Sequence, residues 1–179
     1  MEGIEERAAE FLSTVPEWMW DGESVPIPVE EIADTHCGLL VREVEDMTAA
    51  PGCPPVGEGQ TISGLLLPSK GEIWVNAAEA REWPTRRRFT IAHEIGHWVL
   101  HQKGQQSLFC RHATVEAPDE ERPPLDPIEE EANWFASGLL MPAPLIRREY
   151  ERPDRTFDHM CSAFNASGAA MGRRLHQVI

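Results

Sequence analysis

The stretch Phe89-Thr90-Ile91-Ala92-His93-Glu94-Ile95-Gly96-His97-Trp98-Val99-Leu100 constrains this chain more than any other. Apolar residues surround it almost without polar relief, so a helix here must be largely buried, yet two histidines and a glutamate sit in its middle. Buried imidazoles need partners. The His-Glu-x-x-His spacing offers one: residues i and i+4 are a single helical turn apart, so both rings leave the same face and can meet one tetrahedral ion at about 2.0–2.1 Å per nitrogen. Glu94 lies beside them, placed to take a proton from a metal-activated water and pass it to a leaving amine. Two chance histidines on a surface helix would give the same letters but would not explain the apolar surroundings. Gly96 costs about 1 kcal/mol in a helix relative to alanine, a cost that makes sense if another backbone approaches closely there.

A catalytic zinc takes a third protein ligand and keeps one position for water. Glu129-Glu130-Glu131-Ala132-Asn133 offers three carboxylates at the start of a helix opening at Asp126-Pro127. On a helical wheel Glu129 shares a face with Ala132, Asn133, Ala136 and Leu140, the small and apolar side suited to packing on Gly96, whereas Glu130 points toward Trp134 and Ser137. Glu129 is therefore the favoured ligand. Glu131 is a lesser alternative, and Asp126 with Glu129 can also be read as a simple capping box. Asn133 could orient a ligand by a hydrogen bond. His101, one turn beyond His97, reads as structural or as a support behind the ligands.

Around this pair of helices the pattern predicts an α+β fold. A short amphipathic helix from Ile4 to Leu12, a second from Pro28 to His36 and a strand over residues 39–44 precede a hairpin, Thr61 to Leu67 and Glu72 to Asn76, turned by Pro68-Ser69-Lys70-Gly71. The three strands are expected to make a small antiparallel sheet, with the second hairpin strand at an edge where an extended peptide could add. Asn76 reads as a helix cap, the metal-bearing helix runs from about Thr85 to Gln102, and Lys103 to Asp126 shows no clear period. Two helices, Phe157 to Phe164 and Ser167 to Val178, close the chain. One domain is expected over 1–179: an N-terminal helix and loop (1–25), a core with the metal site (26–142) and a C-terminal helix pair (143–179).

The two stretches from Arg88 to His101 and from Glu129 to Pro142, the latter reading Glu-Glu-Glu-Ala-Asn-Trp-Phe-Ala-Ser-Gly-Leu-Leu-Met-Pro, together resemble the ImmA/IrrE family of bacterial and phage metallopeptidases. The resemblance implies a zincin-like, gluzincin-type domain with its metal site between two helices. It implies Zn2+ on His93, His97 and Glu129, with Glu94 as general base. It also implies a zinc endopeptidase that cleaves a regulatory protein such as a helix-turn-helix repressor, here a separately encoded one. The same motifs permit an alternative, a non-proteolytic zinc-containing regulator that binds such a partner.

A formal net charge of −14 opposes non-specific nucleic-acid binding and favours a basic partner. DNA contact through Arg173 and Arg174 of the last helix is the one route left open to that activity. Neither a bilayer-spanning apolar run nor a secretory start is present, so a cytoplasmic protein without membrane contact is expected.

Overall fold

Both edges of the third strand are paired, which sets the topology of everything around it. The structure, a computed structural model, describes residues 2–53, 55–57, 60–101, 109–114 and 126–179. Four strands, β1 (Leu40–Val44), β2 (Gln60–Leu67), β3 (Glu72–Asn76) and β4 (Phe109–Thr114), form one sheet in the order β1-β3-β2-β4. The β2/β3 hairpin is antiparallel, as expected, and turns through Pro68–Lys70 and Gly71 at φ 63°. That positive φ suits a residue without Cβ.

Two sheet expectations are corrected. The sheet is four-stranded and mixed, not three-stranded and antiparallel, because β3 inserts between β1 and β2 and runs parallel to β1 (Val41 opposite Ile73), while β4 pairs antiparallel with β2. β3 is thus central and offers no edge for a peptide. The alternation in β3 that identified it as a strand says which faces are buried and nothing about how many neighbours it has.

The helices are α1 (Glu2–Ser13), α2 (Val29–Glu31, followed by a π-helical turn Ile32–His36), α3 (Ala77–Glu82), α4 (Pro84–Leu100), α5 (Pro127–Leu140), α6 (Ala143–Tyr150), α7 (Phe157–Phe164) and α8 (Gly168–Val178). Asn76 caps α3 by accepting from the amides of Ala78 and Glu79, Asp126 caps α5 through Ile128, and Thr156 and Ser167 cap α7 and α8. Pro142 and Pro144 do not interrupt helix α6. Pro142 instead occupies the N-cap and Pro144 the first turn, where a missing amide hydrogen costs nothing.

One face of the sheet packs Leu66, Ile73 and Val75 against Ile91, Ala92, Ile95, Phe135 and Leu139 of α4 and α5, and this main core continues through Ile146, Met160, Phe164 and Met171 into the last helices. The opposite face builds a smaller cluster of Met47, Ala50, Ile62, Leu65 and Leu67. Ile62 and Leu65 share that face although they are three apart, because the β2/β4 register shifts between Ile62 and Gly64. The extra residue inverts the alternation and turns Gly64 toward α4. No helix among the described residues is long and apolar enough to cross a membrane.

The basic run at the start of α4 is absorbed by the acidic surface. Arg87 bonds both Glu30 and Glu43, Arg86 pairs with Glu79, and Arg88 donates to the Ile27 carbonyl. Arg174 is only 1% exposed, donating to the Met141 carbonyl at 2.8 Å and to both carboxylate oxygens of Glu5. It ties α8 to α1 and the end of α5, so it is not the DNA contact considered from the sequence.

Candidate metal centre and active site

Helices α4 and α5 meet at Gly96, where α4 has no room for a larger side chain. A Cβ on Gly96 would lie 3.2 Å from both the Cα and the carbonyl oxygen of Ala132. The glycine inside the motif therefore lets the two backbones meet, and Glu129, almost one turn before Ala132, reaches the motif histidines.

The three side chains expected to bind metal converge. His93 Nε2 lies 3.1 Å from Glu129 Oε2, His97 Nε2 3.1 Å from Glu129 Oε1, and the two Nε2 atoms 3.0 Å from each other. Both imidazoles are fully buried. Among the described residues these three are the group whose ligand atoms fall close enough together to hold one ion. Bonds of about 2.0–2.1 Å in a tetrahedron place ligand atoms about 3.3 Å apart, so opening the triangle by a few tenths of an ångström accommodates zinc. Burial pushes the Glu129 carboxyl up, but hydrogen bonds and charge from His93 and His97 outweigh it and hold it at about 2. The carboxylate is thus kept ionised, as a metal ligand must be.

Glu130 is exposed on α5 and takes no part, and Glu131 turns toward His101 instead of the triad. Asn133 does have an orienting role, though toward a histidine: its Oδ1 lies 3.1 Å from His93 Nδ1. With Nδ1–H given to this amide oxygen, Nε2, which hydrogen-bonds Glu129, is the nitrogen that would be offered to a metal ion.

Glu94 is completely buried, on the face of α4 that meets the sheet. A Cβ on Gly64 would fall 2.7 Å from Glu94 Oε1 and 2.4 Å from Thr90 Cγ2, so β2 passes directly against this carboxylate. Sequence reasoning missed Gly64, although a lone glycine in the apolar run Thr61 to Leu67 is the usual mark of a close approach or bulge. Tyr150, the single tyrosine of the chain, lies under the Arg155 guanidinium, 4.2 Å from its ring centroid. Cys110 and His112 lie on β4, and their side chains fall outside the described residues. So does most of the segment from Lys103 to Asp126.

A family profile described as the IrrE N-terminal-like domain matches residues 59–176, about two thirds of the chain. The radiation response metalloprotease IrrE of Deinococcus radiodurans is 39% identical over 90 residues, which is 50% of this chain and 25% of that protein. This chain thus spans at most a part of that relative. With a buried His-Glu-x-x-His helix facing a glutamate helix inside the matched region, the chain belongs to the ImmA/IrrE family of metallopeptidases.

Proposed function

We propose that the chain is a zinc-dependent endopeptidase acting on a separately encoded regulatory protein, such as a helix-turn-helix repressor, in the cytoplasm. The observation that carries this reading is the convergence of His93 Nε2, His97 Nε2 and the Glu129 carboxylate one residue from a buried glutamate. When bound there, zinc would supply Lewis acidity, lowering the pKa of water toward about 7 and polarising a substrate carbonyl. Glu94 is the general base in this reading: it takes the proton of the attacking water and returns it to the amide nitrogen that leaves. Its position against Gly64 keeps the carboxylate from swinging away. The radiation response metalloprotease named above supports a proteolytic activity, and the charge of −14 suits a substrate segment carrying basic residues.

An extended substrate has one well-placed strand to join. β4 is the terminal strand next to β2, with Arg111 opposite Gly64, and is the outer strand on that side among the described residues. A peptide paired with β4 would lie on the same side of the sheet as the strand that supports Glu94.

The test is Glu94→Gln, purified alongside the unchanged protein, with zinc content measured and both incubated with candidate repressors. Unchanged protein is expected to hold one zinc and to give defined fragments by mass spectrometry. The variant is expected to hold the same zinc and to cleave at least ~10²-fold more slowly. Normal cleavage by the variant rejects Glu94 as the base, and zinc uptake with binding but no cleavage by either protein favours a non-proteolytic regulator.

A further inference from the structure

Each motif histidine has a second ring nitrogen, and the one on His97 leads away from the triad along a chain of two more side chains. His97 Nδ1 lies 3.0 Å from His101 Nδ1, and His101 Nε2 lies 2.9 Å from Glu131 Oε2. The His101 side chain is 10% exposed and that of Glu131 49%, so the chain runs from the buried centre to the rim. We propose that His101 and Glu131 are positioning residues that fix the tautomer and ring orientation of His97, an assignment resting on the metal-centre reading above.

The argument is one of hydrogen counting. A glutamate carboxylate only accepts, so the hydrogen between it and His101 must sit on Nε2. A neutral imidazole with its hydrogen on Nε2 carries a lone pair on Nδ1. That lone pair faces His97 Nδ1, and only one hydrogen fits between the two nitrogens, so His97 is the donor. With its Nδ1 hydrogen committed there, His97 is left with Nε2, the atom 3.1 Å from Glu129, as the nitrogen that would offer a lone pair to a metal ion. A carboxylate on the rim thereby selects the metal-ready form of a ring two residues inward. His93 is set in the same form by the simpler contact with Asn133. The two ligands are held through equivalent nitrogens but by different means, an amide for one and a histidine–carboxylate pair for the other. A packing role for His101, as the residue ending α4, would need neither contact to have this polarity.

The experiment measures zinc affinity of the metal-free protein by competition with a chromophoric chelator, beside its thermal unfolding without metal. Variants are His101→Leu, His101→Gln, Glu131→Ala and the His101→Leu/Glu131→Ala pair. Loss of a supporting partner of a zinc histidine weakens binding about 10–100-fold. That loss is expected for His101→Leu, with substantial recovery in His101→Gln, whose side-chain oxygen can still accept from His97. Glu131→Ala alone should weaken binding, yet add nothing once His101 is leucine, because Glu131 acts only through His101. Metal-free melting temperatures should stay close to that of the unchanged protein. Undiminished affinity in His101→Leu, or losses that add in the double variant, overturns the relay. Should His101→Leu fail to fold, unaltered affinity in Glu131→Ala, whose side chain is half exposed, does the same. No zinc uptake by the unchanged protein overturns the metal-centre reading itself, a distinguishable result.

Discussion

Gly64 of β2 and Glu94 of α4 are in such close approach that a single methyl group could not be placed between them: a Cβ would stand 2.7 Å from Glu94 Oε1. The same methyl would overlap Thr90 Cγ2 at 2.4 Å. Gly64→Ala must therefore displace the Glu94 carboxylate or the strand. The proposed metal ligands are other residues, so metal content should persist while kcat falls about 10²-fold, the usual effect of misplacing a reacting group by an ångström. Steady-state kinetics on a cleaved substrate, with zinc analysis of the same sample, checks this; unchanged kcat would show that the proximity has no bearing on the reaction.

Gly96→Ala tests the contact between the two helices. Alanine improves helix propensity by about 1 kcal/mol, but its methyl would meet the Ala132 backbone at 3.2 Å, which cannot rotate aside. Overpacking of this kind costs about 1–3 kcal/mol. The expected outcome is a lower melting temperature together with weaker zinc binding, since α5 moves away with Glu129. A variant more stable than the parent, binding zinc equally well, would mean that the helices have slack at this point.

Arg174→Met should unfold the chain more readily without touching the metal centre. The guanidinium satisfies the Met141 carbonyl and the Glu5 carboxylate from a site 1% open to solvent. Removing it leaves an acceptor and a partly buried charge without a donor, at about 2–3 kcal/mol for hydrogen bonds to charged groups. Urea unfolding measures the loss. Equal stability would place this cluster among the buried pairs that apolar residues replace without penalty.

Glu149 gives a pH dependence whose direction follows from its surroundings. Burial raises its carboxyl, but hydrogen bonds and charge from Arg148, with His159 and Arg152 nearby, bring it below the ordinary glutamate value of 4.5. A carboxyl lowered by folding stabilises the folded chain above its unfolded pKa and ceases to do so as the pH falls through the folded one. Glu149→Gln should therefore lower the urea midpoint at pH 7, and the gap to the parent should narrow toward pH 3. A gap that stays constant or widens with acid contradicts this sign.

The site was more legible than the sheet, for a reason visible in particular residues. His93, Glu94 and His97 are related by helical spacing alone, and Glu129 was favoured over Glu130 and Glu131 by which face of α5 carries small residues; in the structure the ligand atoms of His93, His97 and Glu129 lie together. β4 went unseen because Phe109-Cys-Arg-His-Ala-Thr has little alternation, and its strand character comes from pairing with β2. Helix α6 went unseen because a proline near a helix start looks, in one dimension, like a proline that ends one.

The linear chain by itself determined the buried helix, the turn between its two histidines and the helix caps, since these depend on residues at most a few positions apart. Only the tertiary structure decided that β3 lies between β1 and β2, that Arg174 is buried and committed to Glu5, that Gly64 touches Glu94, and that His101 connects His97 to Glu131. Strand order, the bulge in β2 and the packing of separate elements set those contacts. Such choices rest on which surfaces can be buried together, and no periodicity within a single segment records them.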